Sequence, residues 1–249
     1  MRLFFLNIKF CRITTGLTLL LFSLFLFEKQ LSGAETLNEI PNIKKVLSGL
    51  SKKLITTRQI LVVTTSNPTS FIAKLYAYEK EGADWKIASG PTEAVIGKSG
   101  FALPNQKKEG DHKSPTGVFS LERAFGYDTS YPTKMSYTQM TEEEVWVDDV
   151  HSPDYNRLVK KGMTQAVSFE KMKRKDHLYK YGIVIEYNTD PVVKGKGSAI
   201  FIHLLRGPDK PTEGCVAINE NNMIELLGWL DSEKRPVILM GLESYLEKL

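Results

Sequence analysis

The stretch SAIFIHLLRGPDKPTEGCVAI, residues 198–218, decides the fold. Its first part is nearly continuous in apolar residues, the pattern of a short strand buried on both faces. His203 ends that run, at the margin of a sheet, where a side chain is held rigidly. The 11 residues 204–214 are rich in glycine and proline and can return the chain beside the strand it has just left. Gly214 then stands directly before Cys215. A glycine permits a close backbone approach or an unusual dihedral angle. A cysteine serving only as a small core residue needs neither.

Working outward, the period of the apolar residues assigns the flanking elements. Asn219 is placed to cap a helix running through Met223, Ile224, Leu226, Leu227 and Leu230. RPVILMG (235–241) reads as a last strand and LESYLEKL (242–249) as a short helix. Upstream, QILVVTTS (59–66), FIAKLYAYEK (71–80) and WKIASGPTEAVIG (85–97) read as three strands of a meander, with turn chemistry in SNPT (66–69). YGIVIEYN (181–188) reads as another strand. Residues 128–160 form a long irregular stretch, a candidate lid or wall for a site. Residues 35–57 predict an amphipathic helical segment through Leu37, Ile40, Ile43, Val46, Leu47 and Leu50, kinked at Pro41.

The first 34 residues predict export. Arg2, Lys9 and Arg12 precede an uncharged run at 13–27, and LSGA offers a cleavage site after Ala34. The run has 15 residues against the roughly 20 of a membrane span, so a cleaved signal peptide is expected, with an uncleaved anchor as the alternative. Cleavage removes Cys11 and leaves Cys215 without an internal disulfide partner. The chain has 33 Lys and Arg against 29 Asp and Glu; four of those cations and one anion fall in residues 1–34, so the remainder is near neutral at +1. That balance offers no electrostatic footprint for nucleic acid. The lysine-rich KMKRKDHLYK (171–180) reads as a solvated loop or helix face.

A thiol becomes a nucleophile as its thiolate, and a free cysteine with a pKa of about 8.5 needs help to form it near neutral pH. A histidine in hydrogen-bond reach supplies that help. All four histidines, His112, His151, His177 and His203, precede Cys215, which excludes a papain-like order. His203 is the best placed of them. His151, between Asp149 and Asp154, reads as a surface residue, and His112 and His177 lie in polar loops without evident chemistry. These residues alone leave two readings open, a catalytic pair and a satisfied core pair. Backbone N–H groups around Cys215 can meet a developing oxyanion. His203, Cys215 and Asp209 offer at most three zinc ligands, with no H-E-x-x-H or C-x-x-C. There is no G-x-S-x-G and no phosphate-binding glycine loop. No cofactor is expected.

IHLLRGPDKPTEGCVAI (202–218) resembles the active-site segment of the L,D-transpeptidases, the YkuD or ErfK/YbiS group: histidine, usually followed by glycine, then Ser/Thr-x-Gly-Cys-Ile/Val-Arg. GDHKSPTGVF (110–119) resembles the upstream GDGKTPTGxF element of that family, and KGSAIFIH (196–203) its buried strand. The resemblance implies a mainly β fold, a sandwich or barrel with a few peripheral helices. It implies a catalytic domain over 58–241, followed by a terminal helix at 242–249. It implies an exported, metal-free enzyme of the periplasm or cell envelope, working on peptidoglycan stem peptides as donor and acceptor. Membrane contact is expected only through the signal or anchor segment. Carried over, Cys215 is the nucleophile and His203 the general acid/base. Thr212 takes the Ser/Thr position, and Gly214 and Val216 flank the nucleophile as oxyanion or substrate-binding positions. Three departures stand out: Leu204 for the glycine, Ala217 for the arginine, and a His-to-Cys spacing of 12. Arg206 and Arg235 are the candidates to compensate for the lost arginine. The alternatives are hydrolysis of the same substrate, as an L,D-carboxypeptidase or amidase, and a non-catalytic envelope-binding protein.

Overall fold

A computed structural model describes residues 43–50, 54–246 and 248. The expected signal segment and the start of the N-terminal helix lie outside the described residues. The helix itself is present as α1 (Ile43–Gly49), with Ile43, Val46, Leu47 and Leu50 buried. The 3.6-residue spacing of these side chains puts them on one face, which packs on Ile60, Val62, Tyr76 and Tyr78. Among the described residues no helix is long and apolar enough to cross a membrane.

The chain is mainly β, as the resemblance implies. The meander opens it: β1 (Gln59–Thr65), β2 (Ile72–Glu81) and β3 (Asp84–Val95) pair antiparallel in sequence order. After the loop that carries GDHKSPTG come β4 (Gly117–Ser120), β5 (Arg123–Gly126) and β6 (Ser136–Gln139). Three short strands follow, β7 (Glu144–Val147), β8 (Leu158–Lys160) and β9 (Phe169–Lys171). Then come β10 (Tyr181–Val184), β11 (Phe201–Leu204) and β12 (Val216–Ile218). The chain closes with helix α2 (Glu220–Trp229), β13 (Val237–Leu242) and helix α3 (Glu243–Leu246). Asn219 caps α2 as expected, its side chain accepting from the Asn222 N–H.

Ten strands form one mixed sheet in the order β4-β13-β1-β2-β3-β12-β11-β10-β5-β6. Side chains from both ends of it meet in one core. Leu61 and Val63 of β1 share that core with Ala124 of β5 and Ile183 of β10, so the sheet curls over itself around α2. Strand alternation divides the buried residues cleanly. On β11 and β12, Ile202, Leu204, Val216 and Ile218 enter this main core. Phe201 and Cys215 face the other way, into a smaller cluster with Phe125, Trp146 and Tyr179.

The irregular region at 128–160 is a wall rather than a free loop. Strands β8-β7-β9 make a second small sheet, and Trp146 of β7 packs edge-on against Phe201 at 5.0 Å between ring centroids. Gly182 of β10 gives Phe125 its place in the same cluster. A Cβ at Gly182 would lie 2.2 Å from the Phe125 ring, which itself packs on Tyr179 and Phe201. Gly182→Ala is therefore expected to destabilise the fold by about 1–3 kcal/mol, the cost of overpacking a filled core. Urea unfolding checks it: the midpoint should fall with the slope unchanged.

Candidate active site

β11 and β12 lie side by side and parallel, with His203 opposite Ala217 and Ile202 opposite Val216. On its other side His203 neighbours Gly182 of β10. The imidazole thus stands between two ladder positions that carry almost no side chain. Cys215, two residues before Ala217, projects from the same face. Both side chains enter a cavity of about 400 Å³. Thr212, Gly214 and Ala217 also line it.

The imidazole is oriented by backbone. His203 Nδ1 lies 2.9 Å from the Leu204 carbonyl oxygen, which can only accept, so Nδ1 carries the proton and Nε2 is left with a lone pair. The Tyr179 ring packs edge-on to the imidazole at 5.3 Å. Leu204 in place of glycine is accommodated because its side chain enters the main core while its carbonyl serves the histidine. Both candidate groups are buried, His203 at 7 % and Cys215 at 8 % exposure. Burial pushes the imidazole down to about 4 and the thiol up to about 12. The resting pair is consequently neutral: a thiol donating to the Ala199 carbonyl at 3.3 Å, and an unprotonated base.

The turn before the cysteine is locked by two hydroxyls. Thr212 Oγ1 donates to the Cys215 carbonyl at 2.6 Å and accepts from the Gly214 N–H at 3.2 Å. Ser114, from the GDHKSPTG segment, donates to the Gly214 carbonyl at 2.7 Å and accepts from the Gly97 N–H at 3.0 Å. Gly214 has φ near +150°, and a Cβ there would sit 3.0 Å from the Lys113 carbonyl. Both reasons for a glycine before the cysteine therefore operate.

Not every expected residue sits where the sequence suggests. Val216 borders the cysteine only through its main chain; its side chain is fully buried in the opposite core. The Gly214 N–H is turned to Thr212 rather than to the cavity. Asp209 pairs with Lys210 at 3.5 Å and does not line the cavity. His151 is exposed, and His177 faces Tyr127 across 6.3 Å. His112 Nδ1 pairs with the carboxylate of Glu213, two residues before Cys215. Of the two candidate arginines, Arg206 lines the cavity, whereas Arg235 sits in a left-handed conformation ending a 3-10 turn elsewhere.

The reading of residues 171–180 as a solvated stretch is corrected. Met172, Leu178 and Tyr179 are buried, and Arg174 turns into the cavity. Lys171, Lys173, Lys175, Asp176 and His177 are exposed as the composition suggests. Asp176, two residues on from Arg174, folds the guanidinium back by a two-point contact at 2.9 and 2.7 Å. That Arg-x-Asp spacing is the one local signal for it.

The match to known proteins agrees with this geometry. Residues 58–239 match the family model of the YkuD L,D-transpeptidase catalytic domain, and the protein belongs to that family. No curated protein matches the chain in sequence. Among solved structures it is similar to the helical cell shape determining protein Pgp2 from Campylobacter jejuni, at 18 % identity and a TM-score of 0.38. The similarity covers 80 % of this chain and 54 % of that one, so the chain spans about half the length of that structure.

Proposed function

We propose that the protein is a cysteine-dependent L,D-transpeptidase that remodels peptidoglycan stem peptides in the cell envelope. The observation that carries this reading is the His203 Nδ1 contact with the Leu204 carbonyl, which frees Nε2 as a base in the cavity that holds the Cys215 thiol. Membership of the family supports the reaction class. The basic, apolar N-terminal segment supports export.

In the proposed cycle, the Cys215 sulfur attacks the carbonyl of the donor peptide as its proton passes to His203 Nε2. Collapse of the tetrahedral adduct breaks the C–N bond. His203 returns the proton to the departing D-alanine amine, leaving a thioester on Cys215. An acceptor amine then attacks the thioester, giving its proton to His203; the C–S bond breaks, and His203 passes that proton to the departing sulfur, restoring the thiol. Water in place of the amine makes the same site an L,D-carboxypeptidase.

Intact-protein mass spectrometry after exposure to purified stem peptides or a carbapenem tests the reading. A covalent adduct that maps to Cys215 is expected. A protein that stays unmodified under both treatments overturns it. Analysis of the released muropeptides separates transfer from hydrolysis, since only transfer makes new dimers.

A further inference from the structure

Ala217, beside His203 on the ladder, brings no charge into the cavity. A different segment does. Arg174 leaves the end of β9 and turns inward, and its guanidinium is fixed on three sides. Nε and one terminal nitrogen bind Asp176, while the other terminal nitrogen reaches Glu170 at 3.1 Å. Its plane lies over the Tyr179 ring at 5.1 Å, and the same ring packs against the His203 imidazole. The charge of Arg174 acts on both His203 and Cys215.

Three of its five N–H donors are thereby used, and the other two have no partner among the described residues. Neither of its anionic partners is held by Arg174 alone. Asp176 is shared with Arg206, 3.7 Å away, and burial pushes the Glu170 carboxyl toward its neutral form. A planar guanidinium fixed in this way keeps two N–H groups to donate to an incoming carboxylate.

We propose that Arg174 is the carboxylate-binding residue of the cavity, anchoring the free C-terminal carboxylate of the donor peptide beside His203 and Cys215. This rests on the proposed function, in which the residue expelled carries that carboxylate. It assigns the selection of free-acid stems to a residue outside the cysteine segment.

The test uses Cys215→Ala protein, which binds without turnover. Calorimetry compares a tetrapeptide stem ending in a free carboxylate with the same peptide ending in an amide. The free acid is expected to bind about tenfold or more tightly, as befits a charge-assisted contact. Adding Arg174→Ala should bring the ratio close to one while leaving amide affinity near its starting value. Arg174→Lys, which keeps the charge but not the fork, should retain part of the preference and guards against a merely misfolded alanine variant. A preference that survives Arg174→Ala, or one absent from the start, overturns the assignment. If the wild-type protein still acquires an adduct on Cys215, only this assignment falls. If it acquires none, the proposed reaction falls with it.

Discussion

Cys215→Ala is expected to yield a folded protein that forms no acyl-enzyme. The sulfur is the only thiol among the described residues, and it lines the same cavity as the unprotonated imidazole. The thiol donates to the Ala199 carbonyl, and it borders a cavity rather than sealed core, so removing it costs about 1 kcal/mol or less. Melting temperature should move by only a few degrees, while the mass shift after carbapenem or stem-peptide treatment disappears. Cys215→Ser retains the shape, but its hydroxyl is a far weaker nucleophile and should not restore the adduct. An undiminished adduct in the alanine variant would place the reacting atom elsewhere and end the present account.

Removing the proposed base is expected to have the second largest effect. His203→Gln should slow thioester formation by about 10² to 10⁴-fold, the usual contribution of a positioned acid–base group. The pH profile carries more information than the rate. Only neutral imidazole can take the thiol proton, and burial holds this one near 4. Acylation should therefore stay nearly level from about pH 8 to pH 5 and fail as pH drops toward 4. An exposed imidazole would fail near its ordinary value of about 6.5. The same shift enters stability. Between about 6.5 and 4 the unfolded chain takes up a proton that the folded protein refuses, so stability declines as pH falls through that window. His203→Gln removes this component. Urea midpoints at pH 7 and pH 5 should differ less in the variant than in the wild type, and an unchanged difference would mean that the imidazole is hydrated in solution.

Much of this architecture is legible in the chain because its physics is local. A continuous apolar run marks β1, alternation marks β2, the Asn219 cap marks α2, and the run before His203 marks a strand closed on both faces. His203 and Cys215 can be singled out because a buried strand and a Gly–Cys turn lie within one short segment. What escapes is tertiary. Nothing in Trp146 alone says that it will wall the cavity by packing on Phe201. Arg174 is hidden by the lysines around it, since composition averages over residues that point in opposite directions. Val216 shows the converse error. A residue adjacent to the nucleophile in sequence lies on the far side of the sheet, because strand neighbours alternate faces.

The Ser114 hydroxyl joins Gly97 to Gly214, segments separated by more than a hundred residues along the chain. Thr212 ties the cysteine turn locally, and Ser114 ties it to the distant segment. Before it folds the chain therefore carries an ordinary thiol, as unreactive toward amides as any free cysteine. The proposed activation can arrive only when the distant loops close upon one another, which would make chemistry the last property that folding confers.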